Sequence, residues 1–390
     1  MAAALAKGDS TIANALMAED TGYLIGGLQA LGARIEPAAG GYAVNGTGGK
    51  IVDGGKEIFL GNNGTALRFL TAMVTLGQGR YVLTGGKRLC ERPVGTLTDA
   101  LRIMGAEVSC HDNCPPVVVK ARGLIGGRIV LNDVESSQYV SALLMCAPYA
   151  LRGIDLTLQG SVVSAPYIEL TVGIMRDFGA QITQSGKKKY SVAAGHIYSG
   201  RKYAVEGDAS SASYFFLAAA LLQRVIRVEG INRIGKQGDI KILDILEKMG
   251  CVVSSGENWV EVKGKKLAAG DYTFDLNEMP DMVPTLAVLA AFRPGQTSIT
   301  NVAHLRIKES DRLNALSCEL ERIGIEVRQT NDGLVIRGGA PKPAEIETYN
   351  DHRLAMSFAV AGLAVRGIEV KDKKCVNKSF PGFWTELKKI

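Results

Sequence analysis

The chain contains no apolar run approaching the ~20 residues that a membrane-spanning helix needs. Its start, MAAALAKGDS, lacks the basic region, apolar core and cleavage site of a secretory leader. No basic stripe interleaved with aromatic residues is present, which argues against a nucleic-acid partner. Lysines run together only at Lys187–Lys189 and Lys388–Lys389, short enough to read as solvated edges. The seven cysteines are odd in number and show no paired spacing. Cys110, His111 and Cys114 lie close together, but no second ligand pair follows, and a structural zinc wants four ligands. Reduced thiols in a cytoplasmic protein without a metal are therefore expected.

What is present is globular in composition, with 46% apolar and 22% charged residues. Its 390 residues suffice for two domains of ordinary size. Forty-six glycines are spread along the chain and imply many short turns. The formal net charge of +6 is mild and suits small anionic substrates.

One phrase recurs roughly every 70 residues: an amphipathic helix end, a glycine, then a short strand. It reads LQALGARIE, LRIMGAEVS, MRDFGAQIT, LEKMGCVVS and LERIGIEVR, with glycines at Gly32, Gly105, Gly179, Gly250 and Gly324. Glycine just past a helix is the expected stop, because it accepts positive φ without penalty. A second phrase precedes each later glycine by roughly 40 residues: a polar or glycine-rich turn opening an apolar helix. Its examples are GNNGTALRFLTAM, SSQYVSALLMCA, DASSASYFFLAAA, MPDMVPTLAVLAA and NDHRLAMSFAVAG. Helices apolar nearly all round are expected to be buried. Each then runs into a strand: YVLTG, IDLTLQG, IRVEG, TSITN and IEVKD.

By the same ruler, MAAALAKGDSTIANAL matches only the tail of a buried helix and its strand, and its opening turn falls roughly ten residues before Met1. SFPGFWTELKKI reads as the amphipathic helix of a sixth unit. The expectation is thus an α/β chain of six repeated units, the first clipped, in two domains of three units. The simplest division is 1–206 and 207–390, with a hinge at Val205–Gly207. The buried helices would form the cores with sheets outside. Their N-termini, which attract anions, would converge on the space between the domains.

The residues at those openings are Asn62, Gly64, Thr65 and Arg68; Ser136, Ser137 and Gln138; Asp208, Ser210 and Ser211; Asp281; and Asp351, His352 and Arg353. Between them fall Arg92, Ser164, Tyr167, the RIKESDRL segment and Lys378. Taken singly, Ser136–Ser137, Asp208 and Asp351 read equally as plain N-caps. Asp281, after Pro280, fits a capped turn. Glu309, Asp311 and Arg312 fit a charged surface turn with an i,i+3 pair. Taken together, every opening carries side chains suited to phosphate binding or acid–base work, and arginine's fork matches phosphate and carboxylate bidentately.

LGNNGTALRFL, ERPVGTLTDALRIMGAEV, SSQYVSALLM, EGDASSASYFFLAAA, RIKESDRL, NDHRLAMSFAV and KSFPGFW resemble, in order, segments of the EPSP synthase (3-phosphoshikimate 1-carboxyvinyltransferase) family. The related UDP-N-acetylglucosamine enolpyruvyl transferases carry a reactive cysteine several residues before an arginine–proline pair; Cys90 lies only two before Arg92 and does not match. The resemblance implies two domains, each a threefold βαβαββ repeat, with the active site in the cleft between them. It implies transfer of the enolpyruvyl group of phosphoenolpyruvate to the 5-hydroxyl of shikimate 3-phosphate, a step towards chorismate and the aromatic amino acids.

On that resemblance, Asn62, Gly64, Arg92, Arg312, Arg353 and Lys378 hold phosphoenolpyruvate, and Arg68 braces the glycine loop. Ser136, Ser137, Gln138, Ser164, Tyr167, Asp281 and Lys308 hold shikimate 3-phosphate. Asp281, Glu309 and His352 are the catalytic set: Asp281 takes the 5-hydroxyl proton, Glu309 shuttles a proton at the vinyl carbon, and His352 hydrogen-bonds nearby. The family works as a cytoplasmic monomer without metal or organic cofactor, and binds the inhibitor glyphosate beside Gly64. Three departures stand out. The family's opening Lys-Ser loop and following Arg have no counterpart here, so an alternative reading is a truncated, weakly active or inactive anion-binding homologue. His304 stands where Asn is frequent, and Phe69 where Pro is frequent.

Overall fold

Five helices end in the same way. Helices Glu19–Ala30, Gly95–Ile103, Ala165–Asp177, Ile242–Lys248 and Arg312–Arg322 each stop two residues before one of the repeated glycines. Those glycines have φ of +103°, +89°, +98°, +101° and +80°. In each case the N–H after the glycine donates back to the carbonyl five positions earlier, as in Ala33→Leu28, Ala106→Leu101, Ala180→Met175, Cys251→Leu246 and Ile325→Leu320. This is the Schellman closure, and the glycine supplies the left-handed residue it needs. A strand follows every time: Arg34–Ala38, Glu107–His111, Ile182–Ser185, Val252–Gly256 and Glu326–Gln329.

The structure is a computed structural model that describes residues 1–52, 55 and 57–390. The chain divides into two units, Met1–Val205 and Glu206–Ile390, each with its own apolar core. Four sheets share one wiring. In the sheet of Glu57–Phe59, Gln78–Thr84, Glu107–His111 and Cys114–Arg122, the first two strands are parallel and the last pairs antiparallel with both middle ones. The same pattern joins Gly127–Val134, Ile154–Val162, Ile182–Ser185 and Lys189–Val192. It recurs in Tyr272–Asp275, Gly295–Thr300, Glu326–Gln329 and Leu334–Gly338. In the fourth case Asp9–Ala13, Arg34–Ala38 and Gly41–Asn45 take their parallel edge strand, Lys202–Ala204, from the far end of the same unit. That strand closes the first unit on itself. The α/β repeat read from the sequence is therefore present.

The apolar helices are Gly64–Val74, Ser137–Cys146, Ala209–Leu222, Val283–Ala291 and His352–Ala364. Parallel strands cannot be joined by a tight turn, and helices 64–74 and 283–291 make two of the crossovers. Every residue of helix 283–291 is buried. In the first unit helix 64–74 packs on helix 137–146; in the second, helix 352–364 packs on helices 209–222 and 283–291. Burying each Leu, Val or Phe contributes about 1.5–3 kcal/mol. Polar residues at the helix starts act as N-caps. Asn63, Ser136, Asp208 and Asp351 accept N–H groups from Ala66, Gln138, Ser210 and Arg353 respectively. Ser136, Asp208 and Asp351, each of which reads as a plain cap or as a ligand from residue type, all cap.

One buried cation belongs to the scaffold. Arg293 is inaccessible, lies 4.6 Å from the Tyr272 ring centroid, and donates to Ala268 O (3.2 Å), Gln296 O (3.1 Å), Thr297 Oγ1 (2.7 Å) and Gly270 O. Substituting Arg293→Met strands these acceptors. We expect the second unit to lose about 3 kcal/mol or more, read as a lower urea midpoint; an unchanged midpoint would show the contacts to be energetically idle.

Candidate active site

In the first unit the site begins where the chain approaches itself too closely for a side chain. A Cβ on Gly64 would fall 2.7 Å from Arg68 Nη1 and 2.8 Å from Arg92 Cζ. Two guanidinium groups, each residue 4% exposed, are thereby packed on the first turn of helix 64–74. That turn already favours anions through its N–H groups. Asn63 sets the turn: it caps Ala66 N at 2.8 Å and donates to Asp20 O at 2.7 Å. The neighbouring Asn62 Oδ1 is buried without a hydrogen-bond partner among the described residues.

Arg68 ties helix 64–74 to two other segments. It donates to Gln138 Oε1 at 2.7 Å and to Pro93 O at 3.0 Å, and Tyr139 donates to the same carbonyl at 2.8 Å. Gln138 in turn donates to Thr65 Oγ1 at 2.8 Å. The Gln138 amide is thus engaged at both ends and ties the start of helix 137–146 to the start of helix 64–74. Ser136 and Ser137, both buried, stand beside it. Ser164 enters helix 165–177 in the left-handed region, at φ 57° and ψ 41°, and its side chain makes no cap. Tyr167 follows one turn later. Their helix packs on helix 137–146 and is joined to it by the Ser141 and Thr171 hydroxyls at 2.8 Å.

In the second unit the site is built around Arg312, 1% exposed. Its Nε donates to Asp351 Oδ2 at 2.7 Å, Nη1 to Asp281 Oδ1 at 2.8 Å and Nη2 to Glu309 Oε2 at 2.9 Å. Asp351 is fully buried and also accepts Ser310 Oγ at 3.1 Å. Arg353 Nη2 lies 2.8 Å from Asp281 Oδ2, and its Nη1 lies 3.5 Å from the Tyr214 hydroxyl. Lys378 Nζ stands 3.8 Å from Glu309 Oε1. Five segments distant in sequence therefore meet: those of Tyr214, Asp281, Glu309–Arg312, Asp351–Arg353 and Lys378. The Glu309–Arg312 pair is the i,i+3 pair that KESDRL allowed, but it is buried rather than a surface turn.

The charges set one another. Burial pushes the Asp281 carboxyl up, but Arg353 and Arg312 outweigh it and hold it well below the usual range. Burial likewise opposes ionisation of Asp351, and Arg312 overrides it. Burial alone lowers Arg312, yet Asp351, Glu309 and Asp281 raise it above its ordinary value. His352 is pushed down to about 3 by burial and then by Arg353. His304 falls to about 3 through burial and then Lys308. Both imidazoles are neutral at pH 7. His304 Nε2 and His352 Nδ1 are buried without hydrogen-bond partners among the described residues.

The sequence reading named most of this set but understated Asp351, the deepest partner of Arg312; its cap position in NDHR was the available signal. It missed Ser310 and Tyr214. Tyr214 carries no local signal, since its hydroxyl meets a residue 139 positions away.

Two α/β units built from one repeat, carrying clusters of guanidinium, carboxylate and helix N-terminus, define a group-transfer enzyme for anionic substrates. The sequence model of EPSP synthase (3-phosphoshikimate 1-carboxyvinyltransferase) matches residues 1–387. A 3-phosphoshikimate 1-carboxyvinyltransferase of Nostoc punctiforme is 42% identical over 99% of this chain and 92% of its own. That of Shewanella baltica is 41% identical over 99% and 92%. A solved EPSP synthase of Acinetobacter baumannii superimposes with a TM-score of 0.80 at 29% identity, covering 100% of this chain and 91% of that one. The chain belongs to the EPSP synthase family: it is a transferase of enolpyruvyl groups in the shikimate pathway of aromatic amino-acid biosynthesis. These likenesses support the enzyme reading over the inactive alternative. Among the described residues no helix is long and apolar enough to cross a membrane.

The depressed histidines make stability depend on pH. Unfolded imidazoles titrate near 6.5, whereas His304 and His352 stay neutral in the fold down to about 3. Between those values the unfolded chain binds more protons, so stability falls as pH drops below 6.5, by up to about 1.4 kcal/mol per pH unit for each histidine. We expect the urea midpoint to fall from pH 6.5 to 4.5, and less steeply in His352→Asn. Parallel pH profiles for the two proteins would refute the assignment.

Proposed function

We propose that this chain joins phosphoenolpyruvate to shikimate 3-phosphate with residues of both units. Asn62, Gly64 and Arg92 of the first unit, with Arg312, Arg353 and Lys378 of the second, bind phosphoenolpyruvate. Ser136, Ser137, Gln138, Ser164 and Tyr167, with Lys308 and Asp281, bind shikimate 3-phosphate. The first unit is thus chiefly the shikimate 3-phosphate lobe. The protein works as a cytoplasmic monomer. The observation that carries this reading is the Arg312 cluster, where Asp281, Glu309 and Asp351 share one buried guanidinium beside Arg353 and Lys378.

Asp281, held ionised by its arginines, accepts the proton of the 5-hydroxyl as that oxygen adds to C2 of phosphoenolpyruvate. Glu309 delivers a proton to C3, making a methyl group. The C2–O bond to phosphate then breaks, phosphate leaves carrying the proton that Asp281 took up, and Glu309 takes back a methyl proton to restore the vinyl group. Asp281 and Asp351 share the Arg312 guanidinium with Glu309, so three carboxylates face one cation there. Neutral His352 bonds near the reacting centre. The phosphoenolpyruvate carboxylate competes with Asp281 and Glu309 for Arg312.

The test is phosphate release that requires both substrates. Glu309→Gln is expected to lower kcat by about 10²-fold or more, the range of positioned acid–base catalysis. Its KM values should change little. Loss of KM alone would remove Glu309 from the chemistry. Separately, Gly64→Ala is expected to displace the Arg68 and Arg92 guanidinium groups and raise the KM for phosphoenolpyruvate about tenfold, equivalent to about 1.4 kcal/mol. An unchanged KM would dissociate that loop from the donor substrate.

A further inference from the structure

Seven residues beyond Arg312, on the same helix, lies a second buried carboxylate that the reaction described above does not use. Glu319 is fully inaccessible. Its Oε1 accepts the Tyr349 hydroxyl at 2.8 Å, and its Oε2 accepts the Glu347 N–H at 3.1 Å and Arg322 Nε at 3.1 Å. Two of those three bonds reach the segment that leads into helix 352–364.

That segment is conformationally unusual. Tyr349 and Asn350 follow one another in the left-handed region, with φ of 54° and 53°. Asn tolerates that region, whereas a bulky residue such as Tyr seldom visits it. Strained backbone of this kind persists only where its surroundings over-determine it, and it gathers at functional sites. Here the surroundings are Glu319 on one side and Thr348 on the other. Thr348 O accepts Asp351 N at 2.8 Å, and its Oγ1 accepts Asn350 N at 3.3 Å. The very next residues are Asp351, which takes Arg312 Nε, and then His352 and Arg353. Helix 312–322 therefore holds this turn twice: Arg312 grips its last residue, and Glu319 grips Glu347 and Tyr349. Both contacts that Glu319 makes outside its own helix fall on the left-handed turn that leads into Asp351–Arg353.

We propose that Glu319 is a positioning residue for the transferase reaction. By holding Glu347 and Tyr349 it fixes the left-handed turn that sets His352 and Arg353 in the anion-binding cluster. The inference rests on the reading above that Arg353 binds phosphoenolpyruvate.

The experiment compares Glu319→Gln, Tyr349→Phe, their double variant and Arg353→Gln in the full chain, by steady-state phosphate release with each substrate varied. Tyr349 is 40% exposed and the Phe variant loses only a hydroxyl, so it keeps the question answerable if Glu319→Gln fails to fold. We expect the KM for phosphoenolpyruvate to rise about fivefold in Tyr349→Phe and about tenfold in Glu319→Gln. The KM for shikimate 3-phosphate should stay within about twofold, because only the donor-binding arginine is misplaced. The double variant should resemble Glu319→Gln rather than multiply the two effects, since both act on the same hold on the turn. A raised KM in Arg353→Gln with unchanged KM in the other variants, whatever their melting temperatures, would overturn the role of Glu319 alone. An unchanged KM in Arg353→Gln would overturn the reading on which it depends, and this inference with it.

Discussion

Three carboxylates converge on the buried guanidinium of Arg312, and the second unit's chemistry follows from that convergence. Asp281, Glu309 and Asp351 would repel one another if brought together in a low-dielectric interior. Arg312 makes their meeting possible because its planar fork offers donors in fixed directions, one for each. Losing a partner from such a buried set typically costs about 3–5 kcal/mol. The same ion joins three stretches of chain distant in sequence: the turn before helix 283–291, the KESDRL segment and the start of helix 352–364. With those carboxylates engaged, Arg353 and Lys378 add further positive charge at the same place. A carboxylate in this setting is held at a defined ionisation and orientation, which acid–base work requires.

The two units meet the problem of binding anions with different materials. The first uses close approach. Gly64 lets two guanidinium groups lie against a helix start, and Gln138 and Arg68 lock that start to its neighbour. The named side chains there are hydroxyls, amides and guanidinium groups, suited to holding a ligand and not to moving protons. The second unit mixes carboxylates with cations and places two neutral imidazoles among them.

Much of this was legible along the chain. The five glycines announced five identical helix stops, because a Schellman closure demands a residue that accepts positive φ and helix length fixes where it falls. The apolar helices announced their burial through composition alone. Residue types at their starts offered Asn62, Gly64, Ser136, Asp281 and Arg353, and the turns between them Arg92, Glu309 and Arg312, as candidates for anion binding or acid–base work. Other features were not legible. Nothing along the chain showed that Arg312 donates to carboxylates 31 and 39 residues away. Ser136, Asp208 and Asp351 were each ambiguous between cap and ligand, and the backbone geometry shows all three capping. Glu319 looked like one more charge on an amphipathic helix.

Local sequence determined the period of the fold, the points where helices begin and end, and the kinds of chemical group offered at each beginning. These depend on backbone preferences and side-chain types within a few residues, so they are written where they act. Tertiary structure alone decided which charges distant in sequence meet. It put Asp351 under Arg312, Tyr214 against Arg353, Glu319 beneath a strained turn, and the last strand of the first unit at the edge of its first sheet. Electrostatic and hydrogen-bond partners are chosen by distance in space, and no spacing along the chain encodes that distance.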